Sequence, residues 1–222
     1  MNKSKIFFLI LFCFSSLAKN NFEVGSGSKY QMKVAGGAVG AQVSIYITEN
    51  KFGTLGVEYY TTTLNSLMPV KMWQQFVLGM EPGSPMFIKE GYVKTPELSA
   101  PEKLTSAYLN VNEGGVRVDD FLFSKPEELE KFKKGQEMIE VPAGKVSALH
   151  YQKKRGNQVI DFWISDQAKP ISLIKLVSKG KKPSHNYVLE LLELLKGVKP
   201  EIDKKKAVPL SKKGKSFLPK PL

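Results

Sequence analysis

The chain has 222 residues, of which 42% are hydrophobic and 24% are charged, with 33 basic against 21 acidic side chains. This length and composition suit one or two packed domains, and they exclude both a multispan membrane protein and a wholly disordered chain. A single cysteine also excludes a disulfide framework.

Residues 1–18 have the pattern of a secretory signal peptide. A lysine-containing start precedes the apolar run IFFLILFCF, and the segment Ser16-Leu17-Ala18 places small residues where a signal peptidase reads them. The apolar run is shorter than the roughly 20 residues that a membrane-spanning helix needs. We therefore predict a periplasmic protein, or alternatively a secreted one, that loses Cys13 and all thiol chemistry on cleavage.

From residue 22 to about residue 195 the apolar residues recur with a period of two, as in half-buried strands. Val43, Ile45 and Ile47 alternate with other side chains, and the segment 57–62 has the same β-branched and aromatic character. The remaining predicted strands are 29–35, 71–79, 85–93, 115–123, 136–141, 145–153, 157–165 and 171–178. Roughly ten strands separated by Gly- and Pro-rich turns predict a mainly β protein with an antiparallel sheet.

Two S-x-P-E sequences interrupt the strand pattern and predict short helices. Ser99 and Ser124 are each placed to cap the amide three residues on, and a proline in the first helical turn costs no hydrogen bond. We expect helices over about 101–109 and 126–134. The segment 187–195, YVLELLELL, fits the period of a helix and the length of a strand, so both remain open from the pattern.

Short motifs near the end of the body carry a resemblance. Val141-Pro142-Ala143-Gly144-Lys145 precedes His150-Tyr151, and Asp161-Phe162-Trp163-Ile164-Ser165 follows them. These motifs resemble periplasmic families of unknown function from Gram-negative bacteria, which in turn resemble the lipoprotein-carrier (LolA-like) superfamily. The resemblance implies a strongly curved antiparallel sheet, a half-barrel, with two short helices on its concave side. It also implies that 187–195 is the last strand and that the concave face accommodates acyl chains.

Aromatic side chains on the predicted strands are the candidate apolar ligand site. A one-layer curved sheet with two short helices has a large apolar wall, and such a wall is a typical site for a lipid-like ligand. Packing of the same rings into a closed core is the alternative. The candidate residues are Trp73, Phe76, Tyr92, Phe121 and Trp163.

A Lys- and Pro-rich tail, residues 199–222, follows the single predicted domain 19–198. Eight lysines and two acidic residues give the tail a net charge of +6, whereas the domain holds only +4. With four prolines and few branched apolar residues, the tail is predicted to be disordered. Its charge serves solubility, or else contact with an anionic membrane or cell-wall surface. The lysines for such contact are Lys204, Lys205, Lys206, Lys212, Lys213 and Lys215.

No pattern of catalytic or metal-binding residues is recognisable. His150 and His185 lie 35 residues apart without carboxylates at ligand spacing, so neither a metal nor a cofactor is predicted. Asp119 and Asp120 point to opposite faces of a predicted strand and cannot share a proton. The mildly basic domain does not favour nucleic acid as a partner.

These features together predict a non-catalytic envelope protein that binds an apolar chain, a lipid or a lipidated partner such as a lipoprotein. Two alternatives remain open from the sequence. One is a structural or protein-interaction module with a closed core, and the other is an enzyme of unrecognised type.

Overall fold

A computed structural model describes residues 22–34, 37–64, 69–79, 87–109 and 129–218. Within these ranges the first elements are β1 (Gly27–Val34), β2 (Val39–Lys51), β3 (Thr54–Thr63), β4 (Lys71–Gly79), β5 (Phe87–Lys94), β6 (Glu102–Lys103) and α1 (Ser106–Leu109). The later elements are β7 (Lys133–Val141), β8 (Gly144–Arg155), β9 (Gln158–Ile164), β10 (Leu173–Lys179), β11 (Tyr187–Leu195), β12 (Val208–Pro209) and α2 (Lys212–Phe217).

All twelve strands belong to one sheet, in the order β12-β6-β5-β4-β3-β2-β1-β11-β10-β9-β8-β7. Neighbouring strands are antiparallel, except that β12 pairs with β6 in parallel. The sheet is open, with β12 at one edge and β7 at the other. The predicted mainly β, antiparallel fold is therefore confirmed, and the segment Tyr187–Leu195 is the strand that the resemblance implied.

One hydrogen bond between distant strands shows how strongly the sheet curves. The main-chain amide of Ala143, in the turn between β7 and β8, donates to the carbonyl of Leu191 on β11 at 3.2 Å. Four strand steps separate β7 from β11 in the sheet order, a separation of about 19 Å in a flat sheet. Because β10 pairs with β11 only as far as Glu190, the Leu191 carbonyl can accept this bond. The second half of the sheet is thus rolled into a half-barrel.

The inner face of the sheet, defined here as the face carrying Ile45, Val57 and Phe76, holds the main core. One continuous apolar cluster on this face includes residues from β1 to β5 and from β7 to β11. Its largest fully buried side chains are Tyr30, Phe162, Ile45, Ile47, Leu55, Ile171, Leu173, Ile174 and Leu189. On the strands, the alternation seen in the sequence places Tyr30, Ile45, Ile47, Leu55, Phe162 and Leu189 inward, since every second residue of a strand shares a face. Ile171 precedes β10, and Leu173 and Ile174 are adjacent residues at a register shift in that strand.

Gly91 on β5 determines how closely α1 and the loop before it approach the inner face. Gly91 lies opposite Phe76 in the β4–β5 register. A Cβ at this position would lie 2.7 Å from Leu109 Cδ2 and 2.9 Å from Leu104 Cδ1. The missing side chain therefore allows both leucines to pack directly on the sheet.

The predicted helices are longer than those observed. Of the predicted helix 101–109, residues 102 and 103 form β6, and only Ser106–Leu109 is helical. Glu102, the glutamate of the first S-x-P-E sequence, does not cap a helix, because its carboxylate accepts hydrogen bonds from the amide and hydroxyl of Ser211. Of the predicted helix 126–134, residues 129 and 130 are helical, whereas β7 begins at Lys133. The predicted strand 115–123 lies outside the described residues.

Candidate functional site

The outer face of β2 to β6 is covered by the tail, which was predicted to be disordered. Over residues 199–218 the tail is ordered and that prediction is wrong. Ile202, which is 3% exposed, packs with Val77 and Tyr92, and Trp73 and Ala207 border this small outer cluster. The low apolar content of the tail predicts disorder, but the few apolar residues of the tail do not need a core of their own. They complete a core whose other half is supplied by the strands.

Glu58 on β3 is the central anchor of the tail. Its carboxylate is fully buried and accepts hydrogen bonds from the main-chain amides of Glu201 at 2.9 Å and Ile202 at 3.1 Å. The hydroxyl of Tyr46 donates to the same carboxylate. Burial raises the pKa of Glu58, and the hydrogen bonds from Tyr46 and the two amides oppose that rise without cancelling it.

Further anchors attach the tail at both ends of this outer face. Lys204 donates to Glu49 on β2 at 2.8 Å. Ser211 donates to Glu102 on β6 through its amide and its hydroxyl, at 2.8 and 2.7 Å. The same serine caps α2 by accepting a hydrogen bond from the Gly214 amide at 2.9 Å. Buried carboxylates of the sheet therefore provide the acceptors that the main chain of the tail needs.

The sequence of the strands, and not that of the tail, indicates that the outer face of the sheet is covered. Tyr46 and Val77 occupy outward positions of β2 and β4 but are buried. Apolar residues on both faces of a strand indicate that both faces are covered. Among the described residues, the tail is the segment that covers the outer face.

The five predicted aromatic residues do not line one pocket. Phe76 lies in the inner core, where its ring meets that of Tyr59 edge to face at 5.8 Å. Trp73 and Tyr92 lie on the opposite, outer face with the tail. Trp73 stacks on Tyr60, with ring centroids 4.7 Å apart. Phe121 lies outside the described residues.

Trp163 belongs to a separate polar cluster on β7, β8 and β9. Its ring stacks on that of His150 at 4.5 Å, and its Nε1–H donates to Glu137 at 2.6 Å. His150 Nε2 lies 2.8 Å from Asp161 Oδ1, which also accepts from Gln152 at 2.9 Å. This cluster links neighbouring strands by cross-strand pairs, the usual unit of sheet stabilisation.

The predicted lysines of the tail fall into two groups. Lys204 and Lys213 are bound to the body, the latter through the Glu97 carbonyl at 2.5 Å. The side chains of Lys205, Lys206, Lys212 and Lys215 are exposed. Lys213 is exposed as well, so five of the six predicted lysines are displayed to solvent from an ordered backbone.

Two properties of the described ranges concern metals and membranes. No group of three or more His, Cys, Asp and Glu side chains within them has an arrangement that could hold a metal ion. No helix in the same part of the chain is long and apolar enough to span a bilayer.

Comparison with known proteins gives similarities of fold only. No family model and no curated protein sequence matches the chain. An exported protein with a YmcC-like fold from Bacteroides fragilis has a TM-score of 0.38 and 11% identity, covering 84% of this chain and 99% of the other. A lipoprotein from Parabacteroides distasonis has a TM-score of 0.35 and 9% identity, covering 78% and 95%.

The structure of MucB in complex with MucA(peri) is also similar, with a TM-score of 0.38 and 9% identity. That similarity covers 83% of this chain and 54% of the MucB chain. At identities of 9% to 11% and TM-scores below 0.4, these similarities assign no family to the chain.

Proposed function

We propose that the protein is a non-catalytic, exported envelope protein that holds an apolar chain, a lipid or a lipidated segment against the inner face of its sheet. The observation that carries the proposal is the continuous apolar inner face, which includes residues from both halves of the sheet. The predicted signal peptide supports a periplasmic location, and burial of apolar ligand area would supply the binding free energy, at about 25 cal/mol per Å².

The cover at Gly91 is suited to being displaced by such a ligand. Within the described residues the helix α1 has four residues, and a helix this short has little stability of its own. Its position depends on the packing of Leu104 and Leu109 over Gly91 and on the hydrogen bond from the Leu104 amide to the Gly91 carbonyl at 2.8 Å. An acyl chain offers the same apolar contacts and can take the place of these leucines.

The placement of buried acidic groups supports binding over catalysis. Glu58 and Glu102 hold the tail through the hydrogen bonds described above. Glu190 lies on the outer face and pairs with Lys33 at 2.7 Å and with Lys175 at 2.9 Å. A general acid or base must reach a substrate proton, whereas these carboxylates are already occupied by donors of the protein itself.

Native mass spectrometry of protein purified gently from its own host tests the proposal. We expect an adduct of the mass of an acyl chain or lipid, together with saturable binding of the fluorescent fatty acid cis-parinaric acid. Gly91→Val fills the space beneath the leucines and should weaken parinarate binding, whereas Met138→Ala, on the edge strand β7, should not. A clean unliganded mass and no parinarate binding by the folded protein would reject the proposal.

The exposed lysines of the tail support an anionic envelope surface as a second contact. They lie on an ordered segment, so their positions relative to the sheet are fixed. Deleting the tail would not test this contact, because the deletion would also uncover Glu58, Val77 and Tyr92.

A further inference from the structure

The outer face ends, beside the turn between β2 and β3, in a row of residues from four strands. Lys51 lies opposite Thr54, Thr54 opposite Gly79, and Gly79 opposite Phe87. At the usual strand spacing the row is about 14 Å wide. Side chains that leave this row therefore share one end of the molecule.

Two phenylalanines are exposed at this end. Phe52 is at the tip of the turn before Gly53, whose φ of 72° the tight turn requires, and its side chain is fully exposed. Phe87 is 42% exposed and lies across Gly79, where an added Cβ would be 2.5 Å from its Cζ atom. Single exposed apolar residues are common on protein surfaces, but Phe87 belongs to this row and Phe52 follows Lys51 in the adjoining turn.

Several lysines lie at the same end of the sheet. Lys89 Nζ lies 5.5 Å from the centroid of the Phe87 ring. Lys51 and Lys204 both contact Glu49, at 3.4 and 2.8 Å, which brings the tail to this end of the sheet. Lys205 and Lys206 follow in the same turn of 3₁₀ helix and are exposed.

We define the hairpin rim as Lys51, Phe52, Phe87, Lys89, Lys204, Lys205 and Lys206. Three carboxylates near it, among the described residues, are paired with lysines. Glu49 contacts two lysines, Asp203 contacts Lys206 at 3.5 Å, and Glu90 contacts Lys103 at 2.8 Å. Five lysines against these three carboxylates leave the described part of the rim with a net positive charge.

We propose that the hairpin rim is the surface with which the protein lies on an anionic lipid bilayer. The proposal rests on the anionic contact proposed for the tail, and it specifies lipid as the surface and adds the residues outside the tail. Lysines are attracted to anionic head groups, and phenylalanine rings gain free energy by entering the boundary between head groups and acyl chains. An anionic cell-wall polymer would attract the lysines but would offer the rings no apolar phase, so the phenylalanines favour the bilayer.

Flotation with phosphatidylglycerol/phosphatidylcholine vesicles, compared with pure phosphatidylcholine vesicles, tests the rim. The wild-type protein should bind only the anionic vesicles and should be released by salt. Phe52→Ser combined with Phe87→Ser should reduce partitioning by about tenfold or more, and so should Lys205→Glu combined with Lys206→Glu. Matched controls are Met138→Ser, at an exposed position of β7, and Lys212→Glu combined with Lys215→Glu on α2; both should retain binding.

The outcomes separate the rim from the general anionic contact. Equal binding by the phenylalanine double variant would overturn the rim and leave the tail contact standing. Equal losses from the Lys205/Lys206 and Lys212/Lys215 variants would also overturn it, because the whole tail would then be responsible. No binding of wild-type protein to anionic vesicles would overturn both proposals.

A site-specific label gives a second measurement that does not depend on affinity. The predicted cleavage removes Cys13, so Phe52→Cys provides a single thiol in the exported protein for the fluorophore NBD. We expect a blue shift of NBD emission with anionic vesicles at position 52 and none for Met138→Cys. An unshifted spectrum at position 52 on vesicle-bound protein would overturn the rim.

Discussion

The main-chain amide of Ile202 donates to the buried carboxylate of Glu58 at 3.1 Å, which fixes the tail to the middle of β3. The neighbouring amide of Glu201 makes a second bond to the same carboxylate. Glu58 is shielded from water. If one of these hydrogen bonds breaks, water therefore cannot take the place of the lost donor or acceptor. Attachment of the tail and burial of Glu58 therefore depend on each other.

Replacing Glu58 by alanine should release the tail and destabilise the fold. We expect a loss of about 1–3 kcal/mol in the free energy of unfolding, because two buried amides and the Tyr46 hydroxyl lose their acceptor. Urea denaturation measures the loss, and trypsin should then cleave at Lys204–Lys206. Glu193→Ala, at an exposed position of β11, is the matched control; unchanged protection of the tail in the Glu58 variant would contradict the prediction.

Glu190 should contribute to acid sensitivity. Burial by itself raises the pKa of Glu190, but the hydrogen bonds and charges of Lys33 and Lys175 outweigh it, and the net pKa is lowered. Its stabilisation is therefore complete above the ordinary glutamate pKa of about 4.3 and is lost as the pH falls through the lowered value. In urea titrations from about pH 6 down to about pH 3, Glu190→Gln should lose less stability than the wild-type protein.

Glu58 provides the internal contrast for this pH experiment. Its raised pKa means that the folded protein retains a proton that the unfolded chain releases, so its contribution falls as the pH rises above about 4.3. Glu58→Gln should remove that fall. It should therefore change the slope of the free energy of unfolding against pH in the opposite sense to Glu190→Gln. Equal slopes in both variants would show that other groups set the acid response.

Enlarging Gly91 should push the leucine cover away from the sheet. Gly91→Val should cost about 1–3 kcal/mol in the free energy of unfolding, because the new side chain overlaps Leu104 and Leu109. Gly91→Ala should cost less, and adding Leu109→Ala should recover part of that cost by restoring space. A double-mutant cycle of urea denaturation curves gives the coupling, and strict additivity would show that Leu109 is not in contact with residue 91.

Asp161 should stabilise the β8–β9 pair through the two donors that it receives. Asp161→Ala leaves the His150 ring nitrogen and the Gln152 amide without their acceptor, with an expected cost of about 1–2 kcal/mol. Asp166→Ala, in the exposed turn after β9, should be within about 0.5 kcal/mol of wild type. Thermal unfolding of the two variants in parallel makes the comparison, and equal melting temperatures would contradict it.

The period of two made the strands and the class of fold predictable, because burial of alternate residues requires apolar residues at every second position of the sequence. The same rule separates two of the candidate aromatic residues. Trp73 and Phe76 are three residues apart on one strand, an odd number, and so must point to opposite faces. The face of Tyr92 relative to Phe76 depends instead on a register shift between Val77 and Leu78, and no local pattern encodes it.

The order of the tail could not be predicted from its composition. Disorder was inferred from the few apolar side chains within 199–222, but the acceptors for its backbone lie far away in sequence, at Glu58 and Glu102. The helix predicted at 101–109 failed for the same reason, since Glu102 bonds to Ser211 and not to its own helix. Long-range polar pairs override local propensities in both places.

The central position of β1 in the sheet affects how fast the chain can fold. Because Gly27 pairs with Leu195, the earliest strand has to wait for almost the last one before both of its edges are filled. Such a high contact order slows folding. We therefore expect the predicted precursor, which cannot complete its sheet before translation ends, to remain unfolded long enough for translocation.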